Sequence, residues 1–96
     1  NPISPYDYFT SLLSSRSIAD RYAAAKAFSF LETMPQDDLV ERISDATEHI
    51  YVKLECAACL ARRGIALGYN FIKTSLKSTY LESVENGALP TRCLTL

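Results

Sequence analysis

Between Glu48 and Arg63 the sequence sets apolar side chains around more of a helix than one neighbour can cover. Ile50, Leu54, Ala57, Ala58 and Ala61 recur at i, i+4, i+7, i+8 and i+11, which is one face of a 3.6-residue helix. Val52, Cys56, Cys59 and Leu60 form a second apolar strip. A helix apolar over so much of its circumference has to be buried on several sides. Other segments of the chain must supply that cover.

The remaining sequence offers short amphipathic segments joined by polar turns. Ser4-Pro5 starts a first helix, with Ser as N-cap and Pro where a missing N–H costs nothing. Tyr6, Phe9, Leu12 and Leu13 give its stripe, and Ser14-Ser15 breaks it. Ser17-Ile18-Ala19-Asp20 restarts a helix as a capping box with Asp in place of Glu. Tyr22, Ala24, Ala25, Phe28 and Leu31 follow, and Met34-Pro35 ends it. A third helix is expected from Pro35 to Ser44, with Asp37, Asp38 and Glu41 at the end where the dipole favours acids. Arg62 and Arg63 close the fourth, and Gly64 can take the left-handed position after it. A fifth helix is expected from Ile65 to Lys77, with Leu67, Phe71, Ile72 and Leu76 inward. Thr79-Tyr80-Leu81-Glu82 matches a capping box and predicts a sixth, which Gly87 ends. Pro90 to Leu96 reads as the opening turns of another. Only 3 Gly and 4 Pro leave too few turn formers for an all-β chain.

The helices recur as pairs. Arg21-Tyr22-Ala23-Ala24-Ala25-Lys26-Ala27-Phe28 lies over Lys53-Leu54-Glu55-Cys56-Ala57-Ala58-Cys59-Leu60 at an offset of 32. Each block has a base first, small residues between and a large apolar residue last. With Tyr51-Val52 before it and Ala61-Arg62-Arg63-Gly64 after it, the second block resembles the second helices of HEAT-like repeats, including the subtype named after phycobilisome lyases. Lys53 stands where that family has Arg, and the cysteines replace small residues. The resemblance covers about residues 5–89 and is strongest over 45–64. Asn86, Gly87 and Pro90 depart from the pattern, so the third pair takes its second helix either at Tyr80–Glu85 or from Thr91 onward.

The resemblance implies an all-α fold: a right-handed α-solenoid of about three HEAT-like helix pairs. The whole of 1–96 is expected to form one domain, as a piece of a longer protein. It further implies a scaffold that binds another protein along an inner face lined by second helices. Arg21, Lys53, Tyr51 and Glu55 are then candidates for that face. Tyrosine packs its ring while its hydroxyl stays wet, and Tyr80 joins Tyr51 as a candidate binding residue because each stands near the start of a second helix. Cut ends of a solenoid leave apolar surface open to self-association.

Two other functions compete. The repeat subtype implies a subunit of a bilin lyase or a related phycobilisome-processing enzyme, on fold analogy alone. Lys53, Arg62, Arg63, Lys73 and Lys77, with one acid among them, could instead meet nucleic acid. A formal net charge of -1 works against that. The run from Glu32 to Glu48 is acidic in turn, so the two blocks make either solvated surfaces with cross-helix pairs or a bipolar docking surface.

No catalytic residue, cofactor or metal is expected. Cys56-Ala57-Ala58-Cys59 has redox spacing, but it falls mid-helix among aliphatic neighbours, where buried structural thiols are the reading. His49 is the only histidine and reads as a surface or cap residue; with Cys56 it supplies too few ligands for zinc. Three cysteines without an export signal point to free thiols in a reducing, cytoplasmic setting. No apolar run approaches the roughly 20 residues of a membrane span.

Overall fold

The structure, a computed structural model, describes residues 3–85. Five helices follow one another: α1 (Pro5–Leu12), α2 (Ile18–Ala27), α3 (Gln36–Ser44), α4 (Ile50–Arg62) and α5 (Ala66–Glu85). No strand occurs among the described residues, whose regular structure is all helical. No helix there is long and apolar enough to cross a membrane.

The helix starts follow the sequence. Ser4 accepts from the Asp7 amide at 3.1 Å with Pro5 next in line. Ser17 caps α2 by accepting from the Asp20 amide at 3.3 Å. The return half of that capping box runs through Ser15. Its hydroxyl donates to Asp20 at 2.8 Å and accepts from the Ser17 amide at 3.1 Å. Asp is one methylene shorter than the Glu of the usual box, and a serine bridges the gap. His49 is the cap of α4, with Nδ1 accepting from the Tyr51 amide at 3.1 Å.

α4 ends as its sequence demands. Gly64 sits at φ 79°, its amide reaches the Ala61 carbonyl at 3.0 Å, and the Ile65 amide reaches the Leu60 carbonyl at 3.0 Å. This is a Schellman closure.

Two boundaries differ from expectation. α2 stops at Ala27 rather than continuing towards Met34. The Arg63 guanidinium reaches in from the end of α4 and donates to the carbonyls of Phe28, Leu31 and Glu32 at 2.9, 2.5 and 3.1 Å. Those carbonyls find their donors in a side chain, so an irregular turn is satisfied where a longer helix was expected. The second difference is α5, which runs unbroken through the expected break before Thr79. Thr79 does not cap. Its hydroxyl donates back to the Ser75 carbonyl at 3.0 Å, the option open to Thr inside a helix. The continuations expected at Gly87 and from Pro90 lie outside the described residues.

The core lies where α4 meets α2 and α3. Phe28, Leu39, Val52, Cys56, Cys59 and Leu60 are fully enclosed. Burying a side chain the size of Phe28, Leu39 or Leu60 contributes about 1.5–3 kcal/mol. Tyr6 and Phe9 of α1 meet the Phe28 ring edge-on, at centroid distances of 5.9 and 6.4 Å. Both apolar strips of α4 are used. Val52, Cys56 and Cys59 face the core, while Ala57, Leu60 and Ala61 lie against Gly68 of α5.

α2 and α4 are joined side by side. The Tyr22 hydroxyl donates to Glu55 at 3.4 Å, and seven residues on in each segment Arg62 donates to the hydroxyl of Ser29, just past the end of α2. Contacts that advance in the same direction on both partners make the two helices parallel.

Candidate functional site

The least expected feature is a buried carboxylate. The Glu48 side chain is 0% exposed. It belongs to the short α3–α4 turn, which an Asx turn shapes: Asp45 accepts from the Thr47 amide at 2.8 Å and from its hydroxyl at 2.7 Å. Those two bonds hold the Asp45 carboxyl below its ordinary range against a small opposing effect of burial.

Arg21 of α2 grips Glu48 with two nitrogens, Nε at 2.8 Å from Oε2 and Nη2 at 2.9 Å from Oε1. Arg42 of α3 adds a bond from Nη1 at 3.0 Å, and the His49 amide another at 2.8 Å. Arg21 spends its remaining arm on the Ser15 carbonyl at 2.7 Å. One carboxylate thus ties the α1–α2 turn, α2, α3 and the start of α4 together. Burial alone would push the Glu48 carboxyl up. The bonds from Arg21, the His49 amide and Arg42, with the Arg21 charge, outweigh it and hold the carboxyl below its ordinary value. The hydrogen bond to Glu48 raises Arg21 in turn, against a smaller desolvation effect.

The five residues singled out from sequence do not converge on one surface. Arg21 is committed inside this cluster. Tyr51 is 64% exposed, on the outer face of α4 that also carries Glu55 one turn on. Lys53 turns the other way, towards α5. Tyr80 is half-buried on α5. The outer face continues onto α2, where Tyr22 meets Glu55 and Lys26 places its ammonium 5.9 Å from the Tyr22 ring centre. The result is a surface of wet aromatics and mixed charge running across α2 and α4.

On the opposite flank, beyond the close approach at Gly68, an open groove of about 480 Å³ lies between α4 and α5. Ile50, Leu54, Phe71, Ile72 and Leu76 make it apolar, and Lys53 is its one charged lining residue.

The sequence reading missed Glu48, Arg42 and Gly68. Glu48 sat within an acidic run and gave no sign of burial. Gly68 did carry a signal, since a glycine inside an apolar helical pattern marks close packing. The basic block is also partly consumed: Arg62 and Arg63 bind the α2–α3 turn rather than facing outward together.

Cys56 and Cys59 take the buried structural role expected of them. Cys56 and Cys59 are free thiols at 0% and 1% exposure, and Cys59 Sγ lies 3.6 Å from Met34 Sδ. Burial pushes the Cys56 thiol up to about 12, with Cys59 and Glu48 adding to it. Burial raises Cys59 as well, despite the nearby Arg63 and Arg62 charges. Among the described residues no group of three or more His, Cys, Asp and Glu could hold a metal. In a Cys93→Ser variant, native protein at about pH 8 should react with an aromatic disulfide far more slowly than unfolded chain. Equal rates before and after denaturant would show that the thiols are not enclosed.

Comparisons with protein families, with curated proteins and with solved structures found no match.

Proposed function

We propose that the chain is a protein-interaction module of HEAT-like helical repeats, binding a partner protein and performing no chemistry of its own. The observation that carries this reading is the parallel lateral pairing of α2 and α4, each preceded by its own short helix. Repetition of such pairs builds a right-handed α-solenoid, in which α5 opens the third pair. Its second helices would then present Tyr22, Lys26, Tyr51 and Glu55 along one face. Tyrosine on a mixed-charge surface suits a protein partner. The groups with reactive potential elsewhere have structural work: the thiols are buried, and Arg21, Arg42 and Glu48 hold turns together.

A photo-cross-linking residue at Tyr51, in the intact protein in its own cells, tests the reading. A discrete adduct is expected from that position, lost on Glu55→Lys and not formed from Ser14 on the α1 side. Indistinguishable adducts from the two positions, or none, would sink it.

A further inference from the structure

Phe30 is the most exposed large apolar side chain among the described residues, at 83%. It does not hang on a loose loop. Arg63 binds the carbonyls on both sides of it, at Phe28 and at Leu31 and Glu32. Arg62 binds the neighbouring Ser29 hydroxyl, and the Phe30 amide itself reaches the Ala27 carbonyl at 2.9 Å. An aromatic knob on a backbone held in this way needs no loop ordering when a partner buries it, which suits it to act as an anchor.

The same molecule carries a matching hollow. The α4–α5 groove is apolar, large enough for an aromatic ring, and has Lys53 at its side. Lys53 occupies the place in its sequence block that Arg21 occupies in the first. Arg21 meets a carboxylate from the next turn, Glu48. Lys53 makes no ion pair among the described residues, and neither does Glu32, two residues from the knob. The knob sits by the C-terminal end of α4 and the groove by its N-terminal end, so no molecule can fill its own groove.

We propose that copies of this chain associate head to tail, with Phe30 of one seated in the α4–α5 groove of the next and Glu32 meeting Lys53. Such an interface is heterologous: each molecule keeps a free knob at one end and a free groove at the other. A single anchor buries less than a standard interface of about 1,200–2,000 Å², so association is weak and concentration-dependent. It uses a surface separate from the α2–α4 face of the function proposed above, so either can fail alone.

Sedimentation equilibrium of the intact protein, from low micromolar to millimolar, tests it. The average mass should rise with concentration beyond that of a dimer. Phe30→Ser, which alters an exposed site, should hold the mass at that of a monomer. Leu76→Asp, which places a charge in the groove, should do the same. Mixing the two variants supplies one intact knob and one intact groove, and should give dimers and nothing larger. Lys53→Glu should weaken association, and adding Glu32→Lys should restore it. A monomer mass at every concentration overturns the proposal. So does association that survives Phe30→Ser, or a mixture that stays monomeric.

Discussion

Glu48→Ala should cost about 3–5 kcal/mol of folding stability, because it breaks a buried ion cluster from one side. The carboxylate it removes is enclosed and accepts from Arg21, Arg42 and the His49 amide. Its loss leaves two guanidinium groups facing each other in a site with little water. Against a typical total of about 5–15 kcal/mol, the variant is marginal at room temperature. Urea denaturation followed by circular dichroism reads this directly. Replacing the whole cluster, with Arg21→Met, Arg42→Met and Glu48→Leu together, removes charge and partner at once and should recover most of the loss. A Glu48→Ala midpoint equal to wild type would show that the cluster is solvated.

The same carboxylate gives the fold an acid limit. Its folded-state pKa lies below its ordinary value of 4.5. Above that value both the folded and the unfolded carboxyl are ionised, and its full contribution is present. As pH falls below it, the unfolded chain takes up a proton first, and the contribution is lost until the folded group protonates too. Wild-type stability should therefore fall below about pH 4.5. Glu48→Gln, already destabilised at neutral pH, should lose less across that window.

Helix starts and the α4 stop were legible because a cap is a local device: Ser4, Ser17 and Gly64 each act through atoms close to themselves in the chain. The burial of α4 was legible too, since its two apolar strips demand two sets of neighbours. Long-range polar contacts were not. Arg63 ends α2 from a position 35 residues past Phe28, and nothing near Phe28 announces it. Glu48 has the composition of a surface acid, and only the arrival of Arg21 from 27 residues away makes its burial tolerable. Thr79 shows the converse error. Its capping-box pattern is genuine, but a hydroxyl can bond backward inside a helix as well as forward at its start, and the surrounding sequence did not force the break. Of the candidate site residues, Tyr51 lies on an exposed face, as an interface residue needs, while Arg21 is spent inside the fold.

Gly68→Ala should destabilise the protein by about 1–3 kcal/mol, although alanine is the better helix former by about 1 kcal/mol. A Cβ at this position would stand 2.3 Å from the Ala57 carbonyl oxygen, 2.8 Å from the Ala61 nitrogen and 2.8 Å from Leu60 Cβ. Two of the three are backbone atoms of a helix, which cannot swing aside as a long side chain can. The steric term therefore exceeds the propensity gain, and α5 must lift off α4. Gly64 makes the useful contrast. A Cβ there meets nothing within 4 Å, so Gly64→Ala carries only the strain of its φ of +79°. The two alanine variants should differ in where they act. Hydrogen exchange in Gly64→Ala should speed up around the α4–α5 turn. In Gly68→Ala it should speed up most along α5, while amides of α2 and α3 keep more of their protection, because those two helices pack chiefly on α4. A Gly68→Ala protein as stable as wild type, with α5 still protected, would mean that the two helices do not approach this closely. The groove between them, whose walls are set by that approach, would then have a different shape.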